Sequence, residues 1–254
     1  MKKITFLLLA ASLLPSCVLA WNTPGEDFSG ELILGGPVTS TRNPWVWKIG
    51  EGNESLDVRQ VQGHSGKGQV TPVSLPEMAV LLGKTAQATP SGREGLSPRV
   101  NYGKTADGFK LEWVLPGMAE VTLPVTGEDN SRIGSFSFRM QAVAVMRHTV
   151  NGRAMYAGLY ENLKGNGLPE QAAVMSAEQI PGKLQAMFGS EGPLWLQDIG
   201  INETIGLSSF SDAALHQIEG VYGAQVVPGS GELRLADKTS SRWRVSLPVS
   251  IEYQ

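Results

Sequence analysis

Two glycine-rich stretches that carry a lysine are the first candidates for chemistry. "GHSGKG", residues 63–68, superficially resembles a phosphate-binding loop, but Lys67 is followed by glycine where serine or threonine would bind magnesium. "GKT", residues 83–85, lacks the earlier glycine of that loop, because Met78 stands at its position. "GHSGKG" also fails the G-x-S-x-G spacing of a hydrolase nucleophile. Both stretches are therefore predicted to be turns.

The ionisable side chains show no spacing typical of a catalytic or metal centre. None of the three histidines, His64, His148 and His216, lies three or four residues from another or beside a cluster of carboxylates. The acid pairs Glu26-Asp27 and Glu128-Asp129 consist of neighbours that point apart on an extended chain. We therefore expect no catalytic residue, no metal site and no cofactor.

Tryptophan side chains offer another kind of chemistry, since an exposed aromatic face can stack on a sugar ring. Trp45 and Trp47 share one face of a predicted strand, and Trp195 lies in the loop-like stretch "EGPLWLQD". Packing in the core is the commoner role of such side chains. Two interpretations stay open for these residues, core packing and a sugar platform, and the first is favoured.

The chain begins with a pattern typical of a secretory signal peptide. "MKK" supplies positive charge, residues 4–14 are apolar, and Val18-Leu19-Ala20 forms a small-residue cleavage motif. We predict that residues 1–20 are the signal peptide, that cleavage occurs between Ala20 and Trp21, and that the product is exported. The competing interpretation is a lipobox that ends at Cys17, although the proline in its middle is atypical.

Composition excludes several classes of function. Cys17 is the single cysteine, so the cleaved chain has none for thiol catalysis, a disulfide or a cysteine-bound metal. Removal of the two lysines of the leader leaves 19 basic residues against 24 acidic ones, a net charge of −5. This charge gives no basic footprint for nucleic acid and no polybasic segment for a membrane surface.

Glycine, proline and short alternating runs predict an all-β sandwich. The chain has 30 glycines and 15 prolines. In "RIGSFSFRMQAVAVM" the even-numbered positions from 136 to 146 are all apolar, which predicts a long strand with one buried face. "LKGNGLPE", residues 163–170, is predicted to be a loop. The predicted strands are Phe28–Val38, Trp45–Ile49, Leu56–Val61, Ala79–Leu82, Arg99–Tyr102, Phe109–Leu115, Ala119–Leu123, Ile133–Met146 and Arg242–Tyr253.

Helical patterns are confined to the second half of the chain. "PEQAAVMSAEQIPGKLQAMFG" starts at Pro169 and is divided by Pro181-Gly182, which predicts two short helices. "SFSDAALHQIEG" offers Ser211 as a helix cap and Gly220 as a stop, which predicts another. We interpret residues 150–220 as a small helical insertion in the β domain.

The two ends of the exported chain alternate most clearly. In "SRWRVSLPVSIEYQ" the outward parity carries arginines, which are typical of an exposed edge, and Pro248, which cannot donate to a ladder and indicates a strand with a free side. Its apolar parity is Trp243, Val245, Leu247, Val249, Ile251 and Tyr253. In "EDFSGELILGGPV" the apolar parity is Phe28, Gly30, Leu32, Leu34, Gly36 and Val38, and its glycines fill no space in a core.

These stretches resemble a known family. "WNTPGEDFSGELILGGPVTS", "WVWKIGEG" and "VLLGKTAQATPSGREGLSPRVNYG" are similar to the N-terminal part of the FaeG-like fimbrial subunits of chaperone–usher pili, and "SRWRVSLPVSIEYQ" is similar to their C-terminal strand. The resemblance covers residues 21–110 and 235–254. Because the middle departs from it, the chain looks like a minor subunit, FaeI-like or FaeH-like, rather than the major one.

The resemblance implies an incomplete immunoglobulin-like (pilin) sandwich over residues 41–254, preceded by an N-terminal extension over residues 21–40. In such subunits a periplasmic chaperone adds a strand to the open edge, an outer-membrane usher assembles the fibre, and the extension of a neighbouring subunit replaces the chaperone strand. By this resemblance the apolar parity of residues 28–38 is the donor strand, with Gly30 facing a narrow part of the groove. The apolar parity of residues 243–253 is then the edge that contacts chaperone and donor. Pilins often carry glycine where Ser241 stands, which is a departure from the pattern.

The sequence therefore predicts a minor structural subunit of a fimbrium on the bacterial surface, polymerised by donor-strand exchange and contributing to adhesion. The alternative is an adhesin subunit that contacts host glycans through the middle region around residues 150–188. A secreted hydrolase is disfavoured by the missing triad and metal spacings, and no nucleic-acid partner is expected.

Overall fold

The computed structural model describes residues 43–56, 58, 70–104, 106–236 and 242–254. Within these residues the chain is mostly β, with one α-helix, α1 (Gln179–Phe188), and short 3-10 helices at Gln171–Ala173, Gly189–Glu191, Leu194–Asp198 and Leu207–Ser211. The strands, β1 to β13 in chain order, are Trp45–Ile49, Val70–Val73, Met78–Thr85, Thr89–Ser91, Pro98–Tyr102, Lys110–Leu115, Met118–Thr126, Arg132–Val150, Arg153–Tyr160, Glu203–Gly206, His216–Val226, Gly231–Leu235 and Val249–Tyr253.

One curled sheet contains all of these strands except β5 and β13, and it is antiparallel apart from the pairing of β10 with β9. The 19-residue strand β8 is its spine. Strands β7 and β9 pair along one edge of β8, while β12 and β11 pair along the other. Strand β3 then pairs with β11 and β1 with β3, which brings β1 to the border of the sheet.

Strands β5 and β13 form a separate two-stranded sheet. The main core lies between the inner side chains of this small sheet and one face of the large sheet. The alternation predicted in β8 is confirmed, because Phe136, Phe138, Met140, Ala142, Ala144 and Met146 are all buried in that core. Val100 and Tyr102 of β5 are 2 % and 1 % exposed and lie in the same core.

A second, smaller core covers the opposite face of the large sheet. Helix α1 buries Ile180, Leu184 and Phe188, which recur every four residues and so lie on one face. They pack with Val143, Val145 and Val221 of the sheet. Strands β8 and β11 are therefore buried on both faces near their middles, and the polar alternation expected of a half-exposed strand ends there.

The predicted division of the helical segment at Pro181-Gly182 is wrong. Helix α1 runs from Gln179 to Phe188 without a break, and the stretch after Pro169 contains only the 3-10 turn Gln171–Ala173. Pro181 is the third helical residue, where the backbone N–H of any residue would have no partner inside the helix, so proline costs little there.

The predicted helix between Ser211 and Gly220 is also wrong. The 3-10 helix Leu207–Ser211 ends there, and β11 starts at His216. Gly220 lies inside β11 and not at the end of a helix. Glycine is required there because an added Cβ would lie 2.7 Å from Phe210 Cζ and from the ring of Trp45. Residues 150–220, predicted to be a helical insertion, thus hold β9, β10 and the beginning of β11 beside the helices.

The other strand predictions are mostly confirmed, with shifted ends. The exceptions are Arg242–Tyr253, of which only Val249–Tyr253 is a strand, and Leu56–Val61, whose described residues Leu56 and Val58 are not in a strand. The predicted strand Phe28–Val38 and the signal peptide lie outside the described residues. Strands β2, β4, β9, β10, β11 and β12 were not predicted from the sequence.

A buried pair of tyrosines joins the small sheet to the large one. The hydroxyl of Tyr102 in β5 lies 2.9 Å from that of Tyr222 in β11, and Tyr222 donates to the carbonyl of Gly167 at 2.6 Å. Burial raises the pKa of both hydroxyls, so they remain protonated donors. The pair fixes the position of β5 relative to the large sheet.

Replacement of Tyr222 by phenylalanine is expected to lower the free energy of unfolding by about 1–3 kcal/mol, because it leaves the Tyr102 hydroxyl and the Gly167 carbonyl buried without a partner. Tyr102→Phe should cost less, since Tyr222 keeps its bond to Gly167. Urea unfolding of the two variants measures both changes. A larger loss for Tyr102→Phe would contradict this order.

Candidate functional site

Among the residues that the structure describes, the C-terminal strand β13 pairs with β5 along one side only. The antiparallel register places Val249 opposite Tyr102, Ile251 opposite Val100 and Tyr253 opposite Pro98. Beyond the strand end, Gln254 and Ser97 exchange two backbone hydrogen bonds of 3.0 Å, and the Gly103 N–H donates to the Pro248 carbonyl at 2.8 Å. The even-numbered residues therefore form the hydrogen-bonded pairs with β5.

The alternation of an antiparallel ladder decides where the remaining backbone groups point. Because the even-numbered residues bond to β5, the backbone N–H and C=O groups of Val249, Ile251 and Tyr253 point to the side away from β5. No described strand pairs with β13 on that side. We call this row of backbone groups the free edge of β13.

Pro248, from which the sequence predicted a strand with a free side, lies on the paired side of β13 and not on the free edge. Its carbonyl accepts from Gly103, so its missing N–H falls on the side of β5, at the end of the ladder. The free edge itself carries no proline between Val249 and Tyr253 and can offer an unbroken set of donors and acceptors.

Burial along the C-terminal segment alternates as predicted from Arg242 to Leu247, but from Pro248 to Glu252 every residue is half-buried and Tyr253 is exposed. The odd-numbered apolar residues from Trp243 to Ile251 pack against the main core but are only partly buried. Arg242, Arg244 and Ser246 are exposed. At Arg244 the segment also exchanges two backbone hydrogen bonds of 2.9 Å with Thr126 of β7. The segment therefore runs from the border of the large sheet to the small one, with its apolar row incompletely covered.

Tyr253 ends the free edge and contacts β1. Its hydroxyl, on a side chain 39 % exposed, accepts a 2.8 Å hydrogen bond from the Trp47 ring nitrogen. The Trp47 ring stacks on Trp45 with centroids 5.1 Å apart, and an added Cβ on Gly83 would lie 2.2 Å from the Trp47 ring. Burial raises the pKa of the Tyr253 hydroxyl, which keeps it protonated.

The outer face of the small sheet is polar and holds a compensated charge cluster. Glu252 of β13 forms ion pairs with Arg99 of β5 and with Lys104. Asn101 and Ser250 share this face, and each has a buried polar side-chain atom without a hydrogen-bond partner. An incoming strand at the free edge would run beside this face.

The tryptophans proposed as sugar platforms serve packing. Trp45 is 7 % exposed, and its ring nitrogen donates to the Leu96 carbonyl at 3.0 Å. Trp195 is partly buried, donates to Glu219 at 3.1 Å, and lies 5.8 Å from the ring of Tyr156. The core-packing interpretation therefore accounts for Trp45, Trp47 and Trp195.

A cavity of about 430 Å³ opens beside the β8–β9 hairpin. It is lined by His148, Val150, Asn151, Arg153, Met155 and Glu203. His148 is only 3 % exposed, its Nδ1 has no hydrogen-bond partner, and its Nε2 lies 4.0 Å from Glu203 Oε1. Burial lowers the pKa of His148, and the nearby Glu203 carboxylate partly opposes the shift.

The other stretches that could have carried chemistry do not converge. "GKT", predicted to be a turn, lies inside β3, and "GHSGKG" with His64 lies outside the described residues. Across the part of the chain that the structure describes, no three histidine, cysteine or acidic side chains group as metal ligands. Among the same residues, no helix is both long and apolar enough to cross a membrane.

The predicted site residues divide into two groups. Of the C-terminal set, the odd-numbered residues from Trp243 to Ile251 pack against the main core, and Tyr253 instead contacts Trp47 of β1. The predicted donor residues, Phe28 to Val38, and the cleavage site, Ala20 and Trp21, lie outside the described residues. His148, for which the sequence indicated no metal or catalytic role, lines the cavity beside the β8–β9 hairpin.

Comparison with known proteins decides the family. The family model for K88 fimbriae, described as "Fimbrial, major and minor subunit", matches residues 1–254. The chain belongs to the K88 fimbrial subunit family. It is 62 % identical to the K88 minor fimbrial subunit FaeI of Escherichia coli over the full length of both chains. It is also 24 % identical to the K88 fimbrial protein AD of the same organism over 99 % of each chain.

Membership of the K88 family confirms the kinship predicted from the two ends of the sequence. The chain is a fimbrial subunit, located in the fimbria on the cell surface, and not an enzyme. Its strong full-length similarity is to a minor subunit, as predicted from the divergent middle region. Other fimbrial subunits are its assembly partners.

Acidification should destabilise the folded chain through His148. The unfolded side chain, with a pKa near 6.5, takes up a proton before the buried one does. The free energy of unfolding should therefore fall as the pH drops below about 6.5 towards the lower folded-state pKa. Urea unfolding across this range should show a smaller loss for His148→Gln than for the parent chain.

The control for this measurement is Val150→Ala, which changes the same cavity without removing a titrating group. It should keep the acid-dependent loss of the parent. An unchanged pH dependence in His148→Gln would contradict the assignment.

Proposed function

We propose that this subunit is polymerised by strand addition at the free edge of β13, within an incomplete immunoglobulin-like sandwich over residues 41–254. A periplasmic chaperone supplies the added strand first, and the outer-membrane usher then exchanges it for the N-terminal extension of a neighbouring subunit. The observation that carries the proposal is the direction of the Val249, Ile251 and Tyr253 backbone groups, away from β5 and towards no described strand.

Partial burial along the C-terminal segment supports an added strand. Val100 and Tyr102 of β5 are almost fully buried, whereas Val249 and Ile251 of the adjacent β13 remain partly exposed although they face the same core. A strand laid along β13 would cover this row and satisfy its backbone groups together. Each ladder hydrogen bond would contribute about 0.5–1.5 kcal/mol.

The extension over residues 21–40 supplies a strand of matching pattern. Its large apolar residues are Phe28, Leu32, Leu34 and Val38, all of one parity. Burying one such side chain stabilises by roughly 1.5–3 kcal/mol, so four of them give a gross figure on the order of 6–12 kcal/mol before entropy costs. Together with the ladder, this makes an interface that dissociates slowly.

Two single substitutions separate the donor role from the acceptor role. Phe28→Asp should leave chaperone capture intact but prevent the chain from entering a growing fibre, because the leading anchor becomes a charge that must be buried. Ile251→Asp should prevent both steps, because it puts a charge on the apolar row beside the free edge. Co-purification with the chaperone and incorporation into fibres measure the two steps.

Ser29→Asp is the matched control, since it adds the same charge to the other parity of the same segment. It should assemble like the parent chain. Equal incorporation of Phe28→Asp and Ser29→Asp would show that residues 28–38 are not the donor strand. A chain that is stable and monomeric without chaperone or added strand would refute strand addition itself.

A second candidate function, contact with host glycans, is favoured by the cavity beside the β8–β9 hairpin. The cavity combines an apolar wall of Val150 and Met155 with the polar groups of Asn151, Arg153 and Glu203, a mixture suited to a sugar ring and its hydroxyls. It lies at the start of the middle region, around residues 150–188, that the sequence indicated. The subunit would then contribute to adhesion directly.

Glycan contact is tested by applying the strand-complemented chain to an array of host-type glycans. The expected result is binding that Glu203→Ala lowers at least tenfold, because a carboxylate in the cavity would accept sugar hydroxyl hydrogens. Failure to bind any host-type glycan would remove this candidate and leave the structural role unaffected.

A further inference from the structure

The loop from Glu161 to Pro169, which we call the cap loop, lies along the edge of β5 that faces away from β13. Its two ends are joined by a 2.8 Å hydrogen bond from the Glu161 N–H to the Pro169 carbonyl. The even-numbered backbone groups of β13 bond to Arg99 and Asn101 of β5, so those of Val100 and Tyr102 point towards the cap loop.

Asn166 of the cap loop imitates one residue of a neighbouring strand. Its side-chain oxygen accepts from the Tyr102 N–H at 2.7 Å, and its side-chain nitrogen donates to the Tyr102 carbonyl at 3.0 Å. The backbone N–H groups of Asn166 and Gly167 both donate to the Val100 carbonyl, at 3.2 and 3.1 Å. Three backbone groups that a further strand would need are therefore occupied.

Glycines let the cap loop approach this closely. A Cβ on Gly167 would lie 2.5 Å from the Val100 Cβ, and a Cβ on Gly165 would lie 2.9 Å from the Val100 carbonyl oxygen. Both contacts are shorter than two atoms can tolerate, so only a residue without a side chain fits at these positions.

The cap loop is also held from the core side. Tyr222 donates to the Gly167 carbonyl at 2.6 Å, and the neighbouring Leu168 is 2 % exposed within the main core. The cap loop therefore cannot leave β5 without breaking the hydrogen bond from Tyr222 to Gly167.

We propose that Asn166 and the cap loop restrict the small sheet to one acceptor edge, so that a subunit takes up a single added strand and the fibre stays unbranched. The inference rests on the proposed function, because it concerns which edge receives the strand. Exposed strand edges pair readily with any extended apolar segment, and proteins commonly block them. The cap loop would keep a second donor segment, with the alternating pattern of residues 26–38, from pairing with β5.

The test measures how many peptide strands each chain binds. The full mature chain, released from its chaperone complex, is captured in excess synthetic peptide of the sequence "EDFSGELILGGPV", and native mass spectrometry gives the stoichiometry. We expect the parent chain to bind one peptide and the double variant Asn166→Ala/Gly167→Val to bind two. The valine side chain at position 167 must push the cap loop away from Val100. In Asn166→Ala alone, the Tyr102 amide should exchange its hydrogen on the order of tenfold faster.

Asn162→Ala is the matched control in the same loop, because the Asn162 side chain bonds to Ser208 and not to β5. It should bind one peptide and protect the Tyr102 amide as the parent does. One peptide on the parent and on the double variant would overturn the single-acceptor inference alone, as would an unchanged Tyr102 amide. No peptide on any chain would overturn the proposed function and the inference with it.

Discussion

The fixed position of β5 is the constraint on which the candidate site depends. Tyr102 holds β5 at three points: its hydroxyl bonds to Tyr222 in the large sheet, its backbone bonds to Asn166, and its neighbours pair with β13. A strand held in this way can carry β13 on its remaining side without any support for the outer edge of β13. An isolated two-stranded ribbon is only marginally stable in water. Because the rest of the fold fixes β5, β13 can stay paired with β5 while its own outer edge remains free.

Sequence periodicity predicted long strands such as β8, but it missed short ones such as β12, whose burial alternates, and it misread the start of β11. The even-numbered residues of β8 and the odd-numbered residues of the C-terminal segment lie on the predicted sides. The beginning of β11 was predicted to be helical, because Ser211 was taken as a helix cap and Gly220 as a helix stop. Gly220 is there to admit the rings of Trp45 and Phe210, a reason that appears only when residues distant in sequence are packed together.

The sequence also predicted one part of the candidate site and not the other. The apolar row of residues 243–253 follows from alternation alone, whereas the side of β13 that stays open depends on the register with β5. Pro248 illustrates the limit, since its missing donor indicated a free side correctly but lies on the paired side. The contact of Asn166 with Tyr102 spans 64 residues and follows no periodicity, so only the glycines beside Asn166 hinted at a close approach.

Under the proposed assembly, the two edges of the small sheet would differ in reactivity, one receiving a strand and the other blocked. Both edges present the same kind of backbone groups, and both belong to strands whose inner side chains are apolar. The difference lies in one asparagine side chain and two glycines, which bring a loop close enough to take the place of a strand along β5. Along β13, no described strand or loop occupies the outward backbone groups, so they remain accessible. Selective assembly then requires a strand that buries enough apolar surface to be held there, and the alternating segment at residues 26–38 has that composition.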